Sequence, residues 1–211
     1  MTALIAKAWI DRTADRAQVP AEIWSPVSAQ HLDEWEAVWS PEAEKLLDAL
    51  IKQGVAESEL PEHSHWDWKA KSQRVRTQLA FDSYALVADG QLQGMMQILL
   101  TRQCREASQA GKPQIYVTFV EAAPWNQPLL MRGAMRYRGI GRVLIATAVN
   151  RSIDEGFKGR IGLHSLHNAR GFYRNACGMT DMGVDAKYED LPYLEMTEQQ
   201  AQGFLQGRRV P

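Results

Sequence analysis

A chain of 211 residues, 45% of them hydrophobic, is long enough to bury a full core, and one domain with an N-terminal elaboration is the simplest organisation for it. Its formal net charge of −1 creates no global field to draw nucleic acid or an anionic membrane surface, and no apolar run reaches the length of a bilayer span. Cys104 and Cys177 imply no disulfide framework, and residues 1–7 lack the basic-then-apolar build of a signal peptide, so a cytoplasmic, reducing setting is expected.

Residues 4–10 are short and apolar and predict a first strand; residues 19–26 are a linker or a second short strand. From 29 to 53 the pattern turns helical. Leu32, Trp35, Val38 and Trp39 recur at three and four residues, as do Leu46, Leu47, Leu50 and Ile51. Ser40-Pro41 predicts a break between two helices, with Ser40 as N-cap, Pro41 in the first turn and Gly54 closing the second helix. Residues 62–69, Glu62-His63-Ser64-His65-Trp66-Asp67-Trp68-Lys69, are the most unusual composition in the chain. They suit a pocket wall, a metal site, or a pair of tryptophan staples with the histidines facing water. The staple is favoured, and no metal is expected, because His63 and His65 lack the helical i, i+4 spacing. Residues 69–79 continue as a helix with basic residues on its polar face.

Residues 83–88 and 92–100 predict two strands joined by a tight turn at Asp89-Gly90. A polar loop follows, then a strand over 114–122. Pro124-Trp125-Asn126-Gln127-Pro128 begins a long, ordered connection. It leads to Arg136-Tyr137-Arg138-Gly139-Ile140-Gly141-Arg142 and a helix over 143–155. Two glycines let the backbone turn and approach a ligand without a Cβ in the way. The first helical N–H groups lack intrahelical acceptors and sit at the positive end of the dipole, so a phosphate fits there. Arg136, Arg138 and Arg142 add full charges with paired donors. This is no Walker A loop, which needs Gly-Lys-Ser/Thr, and no dinucleotide fingerprint, because Leu144 stands where a third glycine is required. Beyond it come a strand over 160–166, a helix over 168–179, closing strands at 184–189 and 193–197, a helix over 199–205, and Gly207-Arg208-Arg209 as a frayed tail.

The pattern Arg136-x-x-Gly139-x-Gly141 resembles the phosphate-binding signature of the GCN5-related N-acetyltransferase (GNAT) family. Asn168-Ala169-Arg170-Gly171-Phe172-Tyr173, ending at Gly178, resembles that family's later tyrosine helix, and the likeness covers residues 83–205. It implies a single α/β (α+β) domain over 1–211, with a mixed, mostly antiparallel central sheet flanked by helices. Residues 1–80 would form the acceptor side and 83–205 the acetyl-CoA-binding core. The implied cofactor, strictly a co-substrate, is acetyl-CoA. Its phosphates would meet Arg136, Arg138, Gly139, Ile140, Gly141 and Arg142, and its pantetheine arm the backbone of Val120 and Ala122, with Asn168 as a further contact. Tyr173 matches the family tyrosine that protonates the departing thiolate. Glu121, on the strand facing the cradle, is the implied general base, with His164 as an alternative. The acetyl group would pass by direct attack to a small-molecule or protein amine, with no nucleic-acid or membrane partner and with room for a homodimer. A coenzyme A-binding sensor or scaffold without turnover is the alternative. The chain departs from the family twice: Leu166 stands where the asparagine usually lies, and Gly178 follows Tyr173 by five residues rather than four, which implies a one-residue insertion in that helix end.

Overall fold

An apolar run makes Ala3–Arg12 the strand β1, which folds back on Ala17–Ser25, β2, in an antiparallel ladder. The structure, a computed structural model, describes residues 1–56 and 59–207, so Arg208 and Arg209 of the expected tail lie outside it. Ala29–Glu34 (α1) and Ser40–Lys52 (α2) are joined by one π turn, Trp35–Trp39. Trp68–Val75 is α3, Phe81–Ala88 is β3, Gln91–Gln103 is β4 and Pro113–Ala122 is β5. Pro128–Met131 (α4), Tyr137–Arg138 (β6) and Ile140–Asp154 (α5) follow. Ile161–His164 (β7), Thr180–Asp185 (β8), Leu191–Met196 (β9) and Glu198–Leu205 (α6) complete the chain. The strands order as β6-β1-β2-β3-β4-β5-β7-β9-β8. Only β5 with β7 is parallel among the registers found, the others being antiparallel. This is the mixed, mostly antiparallel sheet flanked by helices that the sequence predicts.

Two compact units can be traced. The first comprises Met1–Gln78, Ser83–Met95 and Val120–Val143. Its core holds Ile10, Ile23, Trp39, Trp68, Leu86 and Leu92, all fully covered. Helix α1 is tied to the start of β4, since Glu34 Oε1 accepts from the Leu92 N–H at 2.7 Å and Trp39 Nε1–H donates to the Leu92 carbonyl at 3.2 Å. The second unit comprises Leu79–Asp82, Met96–Phe119 and Leu144–Pro211 and is built on Ile115, Leu144, Ile145, Ile161, Leu194 and Met196. Inside it, Glu195 is fully buried and pins a loop by accepting the backbone N–H groups of Arg105 and Glu106 and the Tyr193 hydroxyl. No helix among the described residues is long and apolar enough to cross a membrane.

Several elements differ from expectation. Ser40 is no N-cap: it lies in the αR region inside a continuous helix, its N–H donating to the Trp35 carbonyl. The π turn inserts one residue there, and Pro41, which has no N–H to give, sits in the first turn of α2 without breaking it. Helix α3 stops at Val75 rather than 79. Residues 186–189 are not strand: Asp185 accepts from the Lys187 N–H, and Glu189 and Asp190 take left-handed conformations that turn the chain into β9. The expected helix over 168–179 is short, and its π turn, Phe172–Ala176, absorbs the extra residue before Gly178, with the Cys177 N–H donating to the Phe172 carbonyl at 3.2 Å.

Candidate active site

The glycine turn is built from the first unit's own backbone. Strand β6 pairs with the end of β1, Asp11 opposite Arg138 and Arg12 opposite Tyr137. The Arg136 N–H donates to the Trp125 carbonyl at 3.0 Å, and its guanidinium lies 4.8 Å from the centroid of the Trp125 ring. Gly139 has φ +93°, a conformation that L side chains rarely adopt, and a Cβ there would meet nothing within 4 Å. The space over the turn is therefore open. The Gly139 carbonyl accepts the Val143 N–H at 2.9 Å and so starts α5, whose first turn carries the N–H groups of Ile140 and Gly141. Arg136, Arg138 and Arg142 are exposed around them. Open space, oriented donors and three cations fit the phosphates of coenzyme A.

The connection leading into this turn is held by one buried carboxamide. Gln93 is fully covered, and its Oε1 accepts from both Trp125 Nε1–H and Asn126 Nδ2, each at 2.9 Å. Asn126 Oδ1 in turn accepts the Tyr137 N–H at 2.9 Å.

Glu121 lies at the end of β5 with its side chain 11% exposed. Trp68 Nε1–H donates to Oε2 at 2.6 Å and Gln127 Nε2 donates to Oε1 at 3.4 Å. Gln127 also donates to the Ala122 carbonyl at 2.8 Å, so its own Oε1 faces His63 Nε2 at 3.1 Å as an acceptor, which places the proton on that nitrogen. Burial pushes the Glu121 carboxyl up to about 7, against the opposing pull of the Trp68 and Gln127 hydrogen bonds and of Lys71. Burial lowers His63, which is therefore neutral. Glu121 opens onto a cavity of about 80 Å³ whose walls include Trp35, Trp39, Trp66 and His63.

The 62–69 segment thus divides. Trp68 is fully buried and Asp67 caps α3 by accepting the Ala70 N–H at 2.9 Å. Trp66 lines the cavity. His65 is exposed as expected, whereas His63 is turned inward, with its side chain 17% exposed, because Gln127 satisfies it there. No cluster of three metal-ligating side chains occurs among the described residues. Trp68→Ala is expected to cost about 3–5 kcal/mol, as for other large buried aromatics, while Trp66→Ala costs far less. Melting curves of the two variants side by side check this.

In the second unit, Tyr173 lies within the π turn, 6% exposed, its ring against Phe172 at 5.1 Å between centroids. Burial, and after it Cys177, raises the phenol above its usual range, so it keeps its proton. Asn168 is exposed on a short 3-10 turn, His167–Ala169. His164 is engaged at both nitrogens: Nδ1 lies 2.7 Å from the Tyr116 hydroxyl and Nε2 3.2 Å from Asp185 Oδ2, with Tyr188 stacked on the ring. It has no lone pair to offer an amine without breaking that network. Burial raises Cys104 to about 11, which removes it as a thiolate nucleophile.

Trp68, Gln127, His63 and Gln93 were not singled out as site residues by sequence reasoning. The composition of 62–69 flagged the first and third; nothing flagged the glutamines.

The chain has the fold of the GNAT acetyltransferases. It is similar to a protein from Desulfovibrio desulfuricans assigned to GNAT-family acetyltransferases, with TM-score 0.53 and 13% identity over 83% of this chain and 96% of that one. It is similar also to the PaiA N-acetyltransferase of Thermoplasma acidophilum, crystallised with coenzyme A, with TM-score 0.51 and 17% identity over 84% of this chain and 98% of that one. No protein-family model matches the chain, and no curated protein matches it in sequence.

Proposed function

We propose that the protein is an N-acetyltransferase that moves an acetyl group from acetyl-CoA to an amine by direct attack in a ternary complex. One observation carries this reading: a nearly covered carboxyl, held near pH 7, stands at a cavity in the same unit as an open, cation-flanked glycine turn. The shared fold with a protein bound to coenzyme A supports the choice of ligand. Glu121 takes a proton from the ammonium so that nitrogen carries a free lone pair; a base near the working pH does this best. The amine nitrogen then bonds to the thioester carbonyl carbon as the carbon–sulfur bond breaks, and its second proton replaces, through solvent, the one that the sulfur takes up. Tyr173, which the resemblance assigns to the leaving sulfur, keeps the proton that the thiolate needs. Exposed Arg136, Arg138 and Arg142 and the first N–H groups of α5 would hold the phosphates, and the backbone of Val120 and Ala122 the pantetheine arm.

The test is free-thiol release from acetyl-CoA with a panel of amines. Amine-dependent release is expected; coenzyme A binding with no release for any amine would leave a binding module instead. For the cradle, Arg136→Ala is expected to weaken coenzyme A by tenfold or more, since a hydrogen bond to a charged group is worth about 1.5–3 kcal/mol. A pantetheine fragment without phosphates should bind the variant and the parent equally. Equal losses for both ligands, measured by calorimetry, would remove Arg136 from the phosphate site.

A further inference from the structure

A nearly covered carboxyl ionises only with help from its surroundings, and the groups around Glu121 help unequally. Trp68 Nε1–H reaches Oε2 at 2.6 Å, whereas Gln127 Nε2 reaches Oε1 at 3.4 Å, longer than the usual range. Lys71, one turn along α3, attracts the carboxylate through charge, while its ammonium lies 4.8 Å from the centroid of the Trp66 ring. His63, in the segment ahead of α3, is neutral and stands 3.7 Å from Oε1 with its Nε2 facing Gln127. Glu44 of α2 lines the same cavity. Among the groups that oppose burial, the Trp68 hydrogen bond has the largest effect. The indole is also firmly placed. Its ring is fully covered, it opens α3, and Asp67 caps that helix at the Ala70 N–H. An indole is a donor only, so it never competes with Glu121 for the proton, and its hydrogen bond strengthens when the acceptor is charged. With Oε2 held this closely, Oε1 is the oxygen better able to exchange a proton. Packing alone would be served by any large ring.

Resting on the acetyltransferase reading above, we propose that Trp68 is a positioning residue for the base: its indole N–H orients the Glu121 carboxyl and favours the ionised form, which takes the proton from the amine.

The experiment is Trp68→Phe, which keeps a large ring and removes the N–H. Infrared difference titration follows the protonated carboxyl directly, its band assigned by its absence in Glu121→Gln. The midpoint should rise above that of wild type by at least about one pH unit, about a tenfold gain in proton affinity. In the thiol-release assay, the rise of kcat/KM with pH should move upward by the same interval, with acetyl-CoA affinity unchanged. Loss of packing alone would instead lower activity by one factor at every pH. An unchanged or lower midpoint in folded Trp68→Phe overturns the inference and leaves the acetyltransferase reading intact. A raised midpoint with an unmoved pH–rate profile also overturns it, because the carboxyl then titrates apart from the reaction. If no amine releases thiol, the acetyltransferase reading fails, while a raised midpoint still upholds the hold of Trp68 on the carboxyl. Should Trp68→Phe not fold, proton–nitrogen NMR of the wild-type protein decides. One indole N–H resonance should shift with the midpoint of the Glu121 carboxyl and stay fixed in Glu121→Gln; absence of such a resonance overturns the inference.

Discussion

Tyr173→Phe is expected to lower the single-turnover rate of acetyl transfer by about 10²–10⁴-fold, the usual worth of a positioned general acid, while acetyl-CoA affinity stays nearly unchanged. The substitution removes one oxygen and keeps the ring, which is 6% exposed and packed against Phe172, so the fold should survive it. The hydroxyl's proposed partner is the thiolate that forms as the carbon–sulfur bond breaks, an interaction stronger in the transition state than in the bound thioester. Single-turnover measurement is needed because slow product release hides a change in chemistry. A rate within about threefold of wild type, well below the range for a general acid, would return Tyr173 to packing alone.

Glu121→Gln is expected to lose activity by a similar factor, about 10²–10⁴-fold, and to gain stability. With the native residue, the rate should rise as pH increases through about 7, where the carboxyl loses its proton. Stability moves the other way. Between the ordinary value of 4.5 and about 7, the unfolded carboxyl is ionised while the folded one keeps its proton, so the folded state binds more protons and stability falls as pH rises through that window. Those two values, 4.5 and about 7, differ by enough to cost about 3 kcal/mol above pH 7 and nothing below pH 4. Denaturant curves should therefore show Glu121→Gln more stable than wild type at pH 8 and equal to it at pH 4. Equal stability at both would mean that the carboxyl is not buried and perturbed.

What the sequence disclosed was mostly local. The Asp89-Gly90 turn announces itself because both residues need positive φ, and both have it, at +49° and +72°. The strand before Glu121 and the glycine turn before α5 are legible for the same reason: each is set by neighbours a few residues away. The carboxylate's surroundings are not. Trp68 reaches Glu121 across 53 positions and His63 reaches Gln127 across 64, and no periodicity or spacing rule connects residues so far apart. Strand β6 was missed because two residues carry no strand signal and its pairing partner is β1, at the other end of the first unit's sequence. The π turns are invisible for a different reason. They differ from α-helix by one residue of hydrogen-bond register, and packing rather than propensity decides between the two.

Gln93 has a consequence for how a ligand meets the glycine turn. Because its one oxygen receives two side chains of the incoming connection, and Asn126 then fixes the Tyr137 backbone, that loop has its conformation before any phosphate arrives. A loop that must order on association subtracts about 0.5–1.5 kcal/mol for each side chain it immobilises. Here that entropy is surrendered when the chain folds, so encounter with the proposed ligand, coenzyme A, would be closer to docking than to induced fit. The cation at Arg136, held to Trp125 by its own backbone and ring contact, waits in place rather than being recruited.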